Sequence, residues 1–427
     1  MKKALNYLYC MVLIMGSGNP TMRLSNEDAV TIGLFLIGGL LFLSRPKFIS
    51  SRGALTVVAV GFLLLIQIGL FGELVFNASI GFLLHIIIAF MVMSFIPNFL
   101  HYFVRCMFLI SIVSIAMYFL VLLPGNYEMF KPYAFYEETI RLQEFHIGFY
   151  NFRDYYRSAR NSGPFWEPGA FAGYLAFALY IMILQSANKR QSVVVALVLI
   201  TALLTTLSTM GYVAFLLVVM AYLVQRFRGT NLVVMVVAFP LVMGGTLFGA
   251  YQVAENVPFL KEKIVGQIDD AEEGENNAEI NRIGNAEYDW SFIKLRPFFG
   301  WSANVDTRVE IDPTAQEIIQ AQGNALTGIA ARFGFVGWIL FMATFFTSFY
   351  KMSDSILIAG IGFGLIAVTF TGEKYMNFPL IMTLLFTERH HIFTRELLSR
   401  RRKSSRDKSL GARLRWGKRL FSSPFAR

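Results

Sequence analysis

Long apolar runs alternate with short polar segments along most of the chain. Each run is close to the roughly 20 residues that a helix needs to cross a bilayer. The pattern predicts about twelve spanning helices, of which the first and the last are the shortest. They lie at approximately residues 4–18, 28–44, 53–71, 79–96, 103–123, 166–186, 191–208, 210–226, 231–252, 324–349, 354–371 and 373–388.

Two long polar segments, 124–165 and 253–323, interrupt these runs. The predicted fold class is therefore an all-α integral membrane protein, a polytopic bundle with two large extracytoplasmic loops. The predicted organisation is helices one to five in 1–123, the first loop in 124–165, helices six to nine in 166–252, the second loop in 253–323, helices ten to twelve in 324–388 and a basic tail in 389–427.

Lysine and arginine are concentrated in alternate loops. With the N-terminus inside, Arg45, Arg105 and Lys351 fall on the inner side together with the tail, as the positive-inside rule requires. Both long loops then lie outside, and both termini are cytoplasmic. The first apolar run mimics a signal peptide, but we favour an uncleaved helix. The later topology is the same in either case.

Composition supports the membrane prediction and argues against other classes. The chain is 55% hydrophobic and 15% charged, whereas soluble domains carry about 25% charged residues. Much of the net charge of +10 comes from residues 389–427. This tail suits the anionic inner leaflet, and we do not expect nucleic acid as a partner. Cys10 and Cys106 lie in or beside apolar runs, so no disulfide framework or zinc pattern is predicted.

The segment from Arg160 to Phe171 contains Trp166, Glu167, two prolines and two glycines at the predicted membrane surface. An ionisable residue in such a place indicates a functional site. The segment therefore predicts a site that holds an anionic substrate. Glu167 is a candidate general base or an orienting partner of an arginine. Its structural alternative is a helix-start carboxylate that complements the helix dipole.

Arginines precede and follow this segment. Arg153, Arg157 and Arg160 have i, i+4, i+7 spacing, so a helix would place them on one face, where they could bind phosphate. The alternative is an interfacial belt whose arginines reach headgroups. Arg332 lies about two turns into the tenth predicted helix, where a charge costs about 2.5–3.5 kcal/mol. Gly334, two residues later, is predicted to serve close helix packing.

Histidine offers little. His146 is the one histidine on the predicted outer side, so a metal centre is not expected and a catalytic histidine is possible only there. The remaining outer candidate is Arg282, at the start of a predicted amphipathic helix that ends before Pro297.

Three motifs occur in an order that resembles the bacterial O-antigen polymerase and O-antigen ligase superfamily, the Wzy-like membrane glycosyltransferases. They are Arg160 with Gly-x-Phe-x-Glu-Pro-Gly ending at Gly169, the Arg282–Trp290 helix followed by Pro-Phe-Phe-Gly, and the helix led by Asn324. Two features depart from the family. Gly323-Asn324 stands where ligase-type members have His-Asn, and Leu207-Ser208-Thr209 lacks the arginine of the family's Ser-Arg turn.

The resemblance implies a GT-C-type glycosyltransferase that needs no metal or cofactor. Its donor and acceptor would be undecaprenyl-diphosphate-linked repeat units, joined into O-antigen, capsule or exopolysaccharide. Arg160 and Arg282 would stabilise the diphosphate leaving group and Glu167 would activate the acceptor hydroxyl, with His146 as the weaker alternative. The predicted substrate-binding residues are Arg153, Arg157, Trp166, Gln322, Asn324, Arg332 and His146.

The missing histidine favours a polymerase over the alternative, an O-antigen ligase that transfers glycan to lipid A core or another acceptor. A transporter or flippase is a third reading, but transporters place polar residues at the midplane of repeat-related helices. The expected location is the bacterial inner membrane. Its lipids, and possible chain-length-regulator and flippase proteins, are the expected partners.

Overall fold

The structure is a computed structural model, and most of the chain that it describes is helical. The described residues are 2–45, 49–72, 76–123, 125–130, 135–138, 143–153, 160–185, 189–227, 282–304, 306–313 and 324–391. The ninth predicted span, 231–252, and the basic tail beyond residue 391 lie outside these ranges.

The first five predicted spans are helices. Asn19 caps the second through its side chain, which accepts from the amide of Met22, and Pro20 occupies the first helical position. Ser50 caps the third in the same way. The elements up to the first loop are α1 (Lys2–Gly16), α2 (Pro20–Ser44), α3 (Ser51–Phe71), a π-helical turn (Phe76–Ile80), α4 (Gly81–Phe95), α5 (Phe99–Leu122) and the short α6 (Asn126–Phe130).

The first loop contains a small antiparallel sheet ordered β1-β2-β3. Its strands are β1 (Phe135–Glu138), β2 (Gln143–His146) and β3 (Asn151–Arg153). A helix over Arg153–Arg160, which would place the three arginines on one face, does not include Arg153, because this residue pairs with Glu144 across the β2–β3 ladder. Strand pairing has overridden the helical spacing, because a ladder satisfies the backbone of a segment that carries no apolar helical stripe.

The remaining elements follow in chain order. α7 is the most enclosed helix, since nearly every residue between Pro168 and Leu184 is buried. The elements are α7 (Pro168–Gln185), α8 (Lys189–Thr205), α9 (Thr209–Arg226), α10 (Arg282–Leu295), α11 (Asp306–Val309), α12 (Ala325–Ser353), α13 (Ile356–Gly372) and α14 (Pro379–Met382), with 3-10 turns at Tyr375–Asn377, Thr383–Phe386 and Arg389–His391.

Six helices of the described part are long and apolar enough to cross a membrane. Large apolar side chains also point away from the protein, for example Leu43, Leu55 and Phe62. Exposed apolar surface on this scale marks contact with lipid. The prediction of a mostly helical membrane protein is thus supported, whereas the full count of twelve spans stays a prediction.

Residues 373–388 differ from the predicted twelfth helix. They form the 3-10 turn Tyr375–Asn377, α14 and the 3-10 turn Thr383–Phe386 in succession, and almost all their side chains are buried. The helix fails to continue after Gly372, where Glu373 has extended backbone, and Pro379 restarts it for one turn. Irregular backbone at this depth is tolerated because surrounding protein covers it.

This segment runs between the two ends of the bundle. Glu373 meets Trp166 at the start of α7, whereas Glu388 meets Ser50 at the start of α3 and Lys351 near the end of α12. We call the end where α7 and α12 begin the loop end, because the described parts of both long loops meet it. The end that carries Glu388 is the opposite end.

At the opposite end, Glu388 accepts hydrogen bonds from Lys351 and Ser50, each at 2.8 Å. Burial alone would raise the pKa of the Glu388 carboxyl, but these two donors outweigh it and the pKa lies below its usual value. A carboxyl with a lowered folded pKa contributes stability above its unfolded pKa, and that contribution is lost as pH falls through the folded pKa.

Glu388→Gln should therefore make the melting temperature depend less on pH in the acid range. We expect the melting temperature of the variant to lie below that of the wild type at pH 7, and the two values to converge as the pH falls below the usual carboxyl pKa of 4.5 and through the lowered pKa of Glu388. Purified full-length protein in detergent can be scanned by tryptophan fluorescence. The exposed Glu310 is the matched control, as Glu310→Gln. A difference that stays constant across this pH range would contradict the assignment.

Candidate functional site

The segment before α7 is held by buried amides. Asn161 donates to the hydroxyl of Thr205 at 2.9 Å and accepts from the amide of Gly163 at 2.9 Å. Asn151, from β3, donates to the carbonyls of Phe165 and Trp166 at 3.0 and 3.2 Å. These side chains bind backbone groups of a segment that is neither helix nor strand. The segment is therefore fixed in place between the first loop and the bundle.

Arg160 is half-buried at the loop end. Its Nε donates to the carbonyl of Thr206 at 3.1 Å, in the turn between α8 and α9. Ser208 caps α9 there by accepting from the amide of Gly211 at 3.2 Å. The resemblance described above leads one to expect a Ser-Arg pair in this turn, which has Ser208-Thr209 instead. Arg160 is thus anchored beside a turn that contributes no arginine of its own.

Glu167 precedes α7, and its carbonyl accepts from the amide of Phe171 at 3.2 Å. A carboxylate missed by the sequence analysis, Glu373, lies beside it. Glu373 is 2% exposed, and its Oε2 accepts from the indole Nε1 of Trp166 at 2.9 Å. Both carboxylates border Gly169, whose missing side chain makes room for them. Two carboxylates and an indole therefore meet at the start of α7.

A second backbone junction forms around Gly334. The residues after α10 pair with a kink in α12: Trp301 donates to the Ala331 carbonyl at 2.9 Å and Phe335 to the Pro297 carbonyl at 2.7 Å. Gly334 has φ 65° and ψ −175°, a region essentially reserved for glycine. A Cβ at Gly334 would overlap the Phe298 carbonyl. The predicted close packing at Gly334 is present, but it joins a helix to a loop.

Gly334→Ala should destabilise the protein by roughly 2 kcal/mol or more, because it adds both backbone strain and a clash with a carbonyl. Gly360→Ala in α13 is the matched control, since a Cβ there meets open space. Chemical unfolding of both variants, followed by tryptophan fluorescence, measures the difference. Equal free energies of unfolding for the two variants would show that the junction accommodates a Cβ at Gly334 without loss of stability.

A cavity lies beside this junction. Its polar lining comprises Asn324, Arg332, Lys374 and Asn377. Arg332 donates from Nη1 to Oδ1 of Asn377 at 2.9 Å, and Asn324 caps α12 by accepting from the amides of the second and third residues that follow it. Two cations and a helix start thus face one space, which is favourable for an oxyanion.

Behind the cavity lies a fully buried ion pair that the sequence analysis missed. Nη1 of Arg308 is 3.7 Å from Oδ1 of Asp289, and both side chains are 0% exposed. Asp289 also accepts from the hydroxyl of Thr327 at 2.5 Å. Burial and the neighbouring Arg332 lower the pKa of Arg308 and Asp289 partly opposes them, so that the net pKa is about 10. The pair fixes α11 and α10 against the first turn of α12.

The other predicted residues are distributed as follows. Arg282 begins α10, but its side chain is outside the described part, as are Arg157 and Gln322. Arg153 is the last residue of β3, and its side chain also lies outside the described part. His146 is 1% exposed at the end of β2, opposite Asn151. The absence of a metal requirement stays a prediction.

Residues 193–342 match the family model described as O-antigen ligase. This part of the chain is similar to O-antigen ligases. This confirms the predicted resemblance to the O-antigen ligase and polymerase superfamily. The matched region covers about a third of the chain, from α8 to the middle of α12, and includes Asp289, Arg308 and Arg332. A search of curated proteins gave no match.

Proposed function

We propose that the protein is a membrane glycosyltransferase that joins undecaprenyl-diphosphate-linked oligosaccharide repeat units at the outer face of the bacterial inner membrane. One observation carries the proposal. Arg160, Arg332, Lys374 and Glu167 all lie at the loop end of a helical bundle, part of which is similar to O-antigen ligases. A twelve-span, GT-C-like arrangement with cytoplasmic termini would put this end outside.

In the proposed reaction, a hydroxyl of the acceptor sugar attacks the anomeric carbon of the donor. The bond from that carbon to the diphosphate oxygen breaks, and the diphosphate leaves with the electron pair. Arg160 and Arg282 stabilise its developing charge, with support from Arg157 and Arg332. The hydroxyl proton passes to Glu167. Protein side chains can supply all of these steps, so we propose no metal or cofactor.

Polymerisation is favoured over ligation by the start of α12. Ligase-type members have a histidine before the asparagine at this position, and this chain has Gly323. Asn324 accepts hydrogen bonds from the amides of Leu326 and Thr327, and an amide side chain is not a base at neutral pH. Carboxylate activation by Glu167 at the start of α7 therefore fits this chain better than histidine activation at the start of α12.

The test is deletion of the gene in its bacterium, followed by expression of the full chain and gel analysis of the surface polysaccharide. A polymerase deletion should leave single repeat units in place of the long-chain ladder, and expression should restore the ladder. Loss of single units as well, with lipid-linked polymer accumulating inside the membrane, would instead identify a ligase. Accumulation of lipid-linked repeat units on the inner face would identify a flippase.

A further inference from the structure

The buried carboxylate Glu373 occupies a specific place against the start of α7. Its Oε2 accepts from Trp166 at 2.9 Å. Its Oε1 lies where a Cβ on Gly169 would stand, and Oε1 of Glu167 is 3.1 Å from that same point. Carboxylate oxygens of Glu373 and Glu167 therefore lie close to the same point beside Gly169, and the indole of Trp166 holds Glu373 there.

The charge of Glu373 can be separated from its hydrogen bond to Trp166. A glutamine would accept the same hydrogen bond from the indole, whereas a 2%-exposed carboxylate also carries a charge into the protein interior. Such a charge acts strongly on the titratable groups beside it, because the dielectric constant around it is low. The neighbour here is Glu167, which the proposed function makes the proton acceptor.

We propose that Glu373 is a positioning residue for glycosyl transfer, which holds the Trp166–Gly169 turn in place and increases the basicity of Glu167. This inference rests on the proposed function. As the new bond forms at the anomeric carbon and the diphosphate leaves with its electron pair, the hydroxyl proton moves to Glu167. A second negative charge nearby favours the protonated product of that transfer.

Other titratable groups surround the pair. Lys374 follows Glu373 and lines the cavity that also contains Arg332. The phenol of Tyr375 donates to the carbonyl of Ala170 at 2.9 Å, and its ring meets Tyr174 edge-on, with the centroids 5.1 Å apart. The lysine offsets part of the negative charge, so the effect of Glu373 on Glu167 should be moderate.

Glu373→Gln separates the charge from the hydrogen bond. The substrate is the lipid extract of the deletion strain, which holds that strain's own lipid-linked repeat units, and the enzyme is the purified full chain in lipid vesicles. We expect kcat to fall roughly tenfold with KM little changed, and the acid limb of the pH–rate profile to move about one pH unit lower, because Glu167 becomes the weaker base.

Three further variants sharpen the result. Glu373→Asp keeps the charge, so its acid limb should stay at the wild-type position even if its rate falls. Trp166→Phe removes the indole donor and keeps a ring against Phe378, so it should lower the rate without moving the acid limb. Glu388→Gln makes the same change at the opposite end and should leave both rate and profile unchanged.

An equal loss of rate at every pH in Glu373→Gln would reduce Glu373 to a structural role and overturn the inference, as would an unchanged rate. If Glu373→Gln does not fold, a displaced acid limb in Glu373→Asp overturns it and an undisplaced one supports it. If the wild-type protein does not lengthen the glycan chains in the extract, the proposed function itself is overturned. This result is seen before any variant is compared.

Discussion

Replacement of Arg160 by alanine should lower polymer formation by about 10²- to 10³-fold, the usual effect of removing one donor that stabilises transition-state charge. The long-chain ladder should collapse to single repeat units while the protein remains in the membrane. The physical reason is the position of the guanidinium, which the Thr206 carbonyl orients at the loop end. The measurement is gel analysis of surface polysaccharide, with immunoblotting of the membrane fraction.

Two controls separate chemistry from folding. Arg160→Lys keeps the charge but loses the planar fork that binds two phosphate oxygens, so it should restore only part of the activity. Arg226→Ala removes an exposed arginine at the other end of α9 and should leave the ladder intact. A full ladder from Arg160→Ala would remove this arginine from the proposed reaction.

Replacement of Asp289 by asparagine should lower the free energy of unfolding by about 3–5 kcal/mol, the typical cost of leaving a buried charge without its partner. Asparagine keeps the size of the side chain and an acceptor for Thr327, so the loss reports on the unpaired guanidinium of Arg308. Chemical unfolding of the purified full chain in detergent, followed by tryptophan fluorescence, is the measurement.

The combined variant Asp289→Asn with Arg308→Met removes both charges. It should recover a large part of the lost stability, because a buried ion pair can often be replaced by apolar side chains at little cost. A double variant as unstable as Asp289→Asn alone would show that the guanidinium is not the source of the loss. The interaction between the two sites would then be small.

The local pattern of apolar and polar residues was sufficient to predict most helices of the bundle. The predicted spans 53–71 and 166–186 differ from α3 and α7 by only a few residues, because a long apolar run has one low-energy solution in a bilayer. The same logic failed at 373–388, where the apolar run is buried in protein instead of lipid and so need not be one continuous helix. A helical placement of Arg153 failed for a related reason. Its backbone pairs with β2, which lies outside the residues 153–160 whose spacing suggested a helix.

The candidate site was predictable only where its residues are close in sequence. Trp166 and Glu167 are neighbours, and their unusual composition indicated a site. Glu373 reaches them from 207 residues away along the chain, and it sits at the edge of an apolar run where it looks like an ordinary helix end. Arg308 had no motif either, since a buried arginine in a polar loop is recognised only through its distant partner Asp289.

The irregular path of residues 373–388 has a consequence for biogenesis. A finished helix can partition from the insertion machinery into lipid by itself, but a chain of short turns leaves carbonyls and amides that hydrocarbon cannot satisfy. This segment can settle only after the α1–α2 turn and α12 have assembled to receive it, because it is hydrogen-bonded to Ser17 and Ser348. Residues 373–388 are thus placed late, by a bundle that is already largely complete.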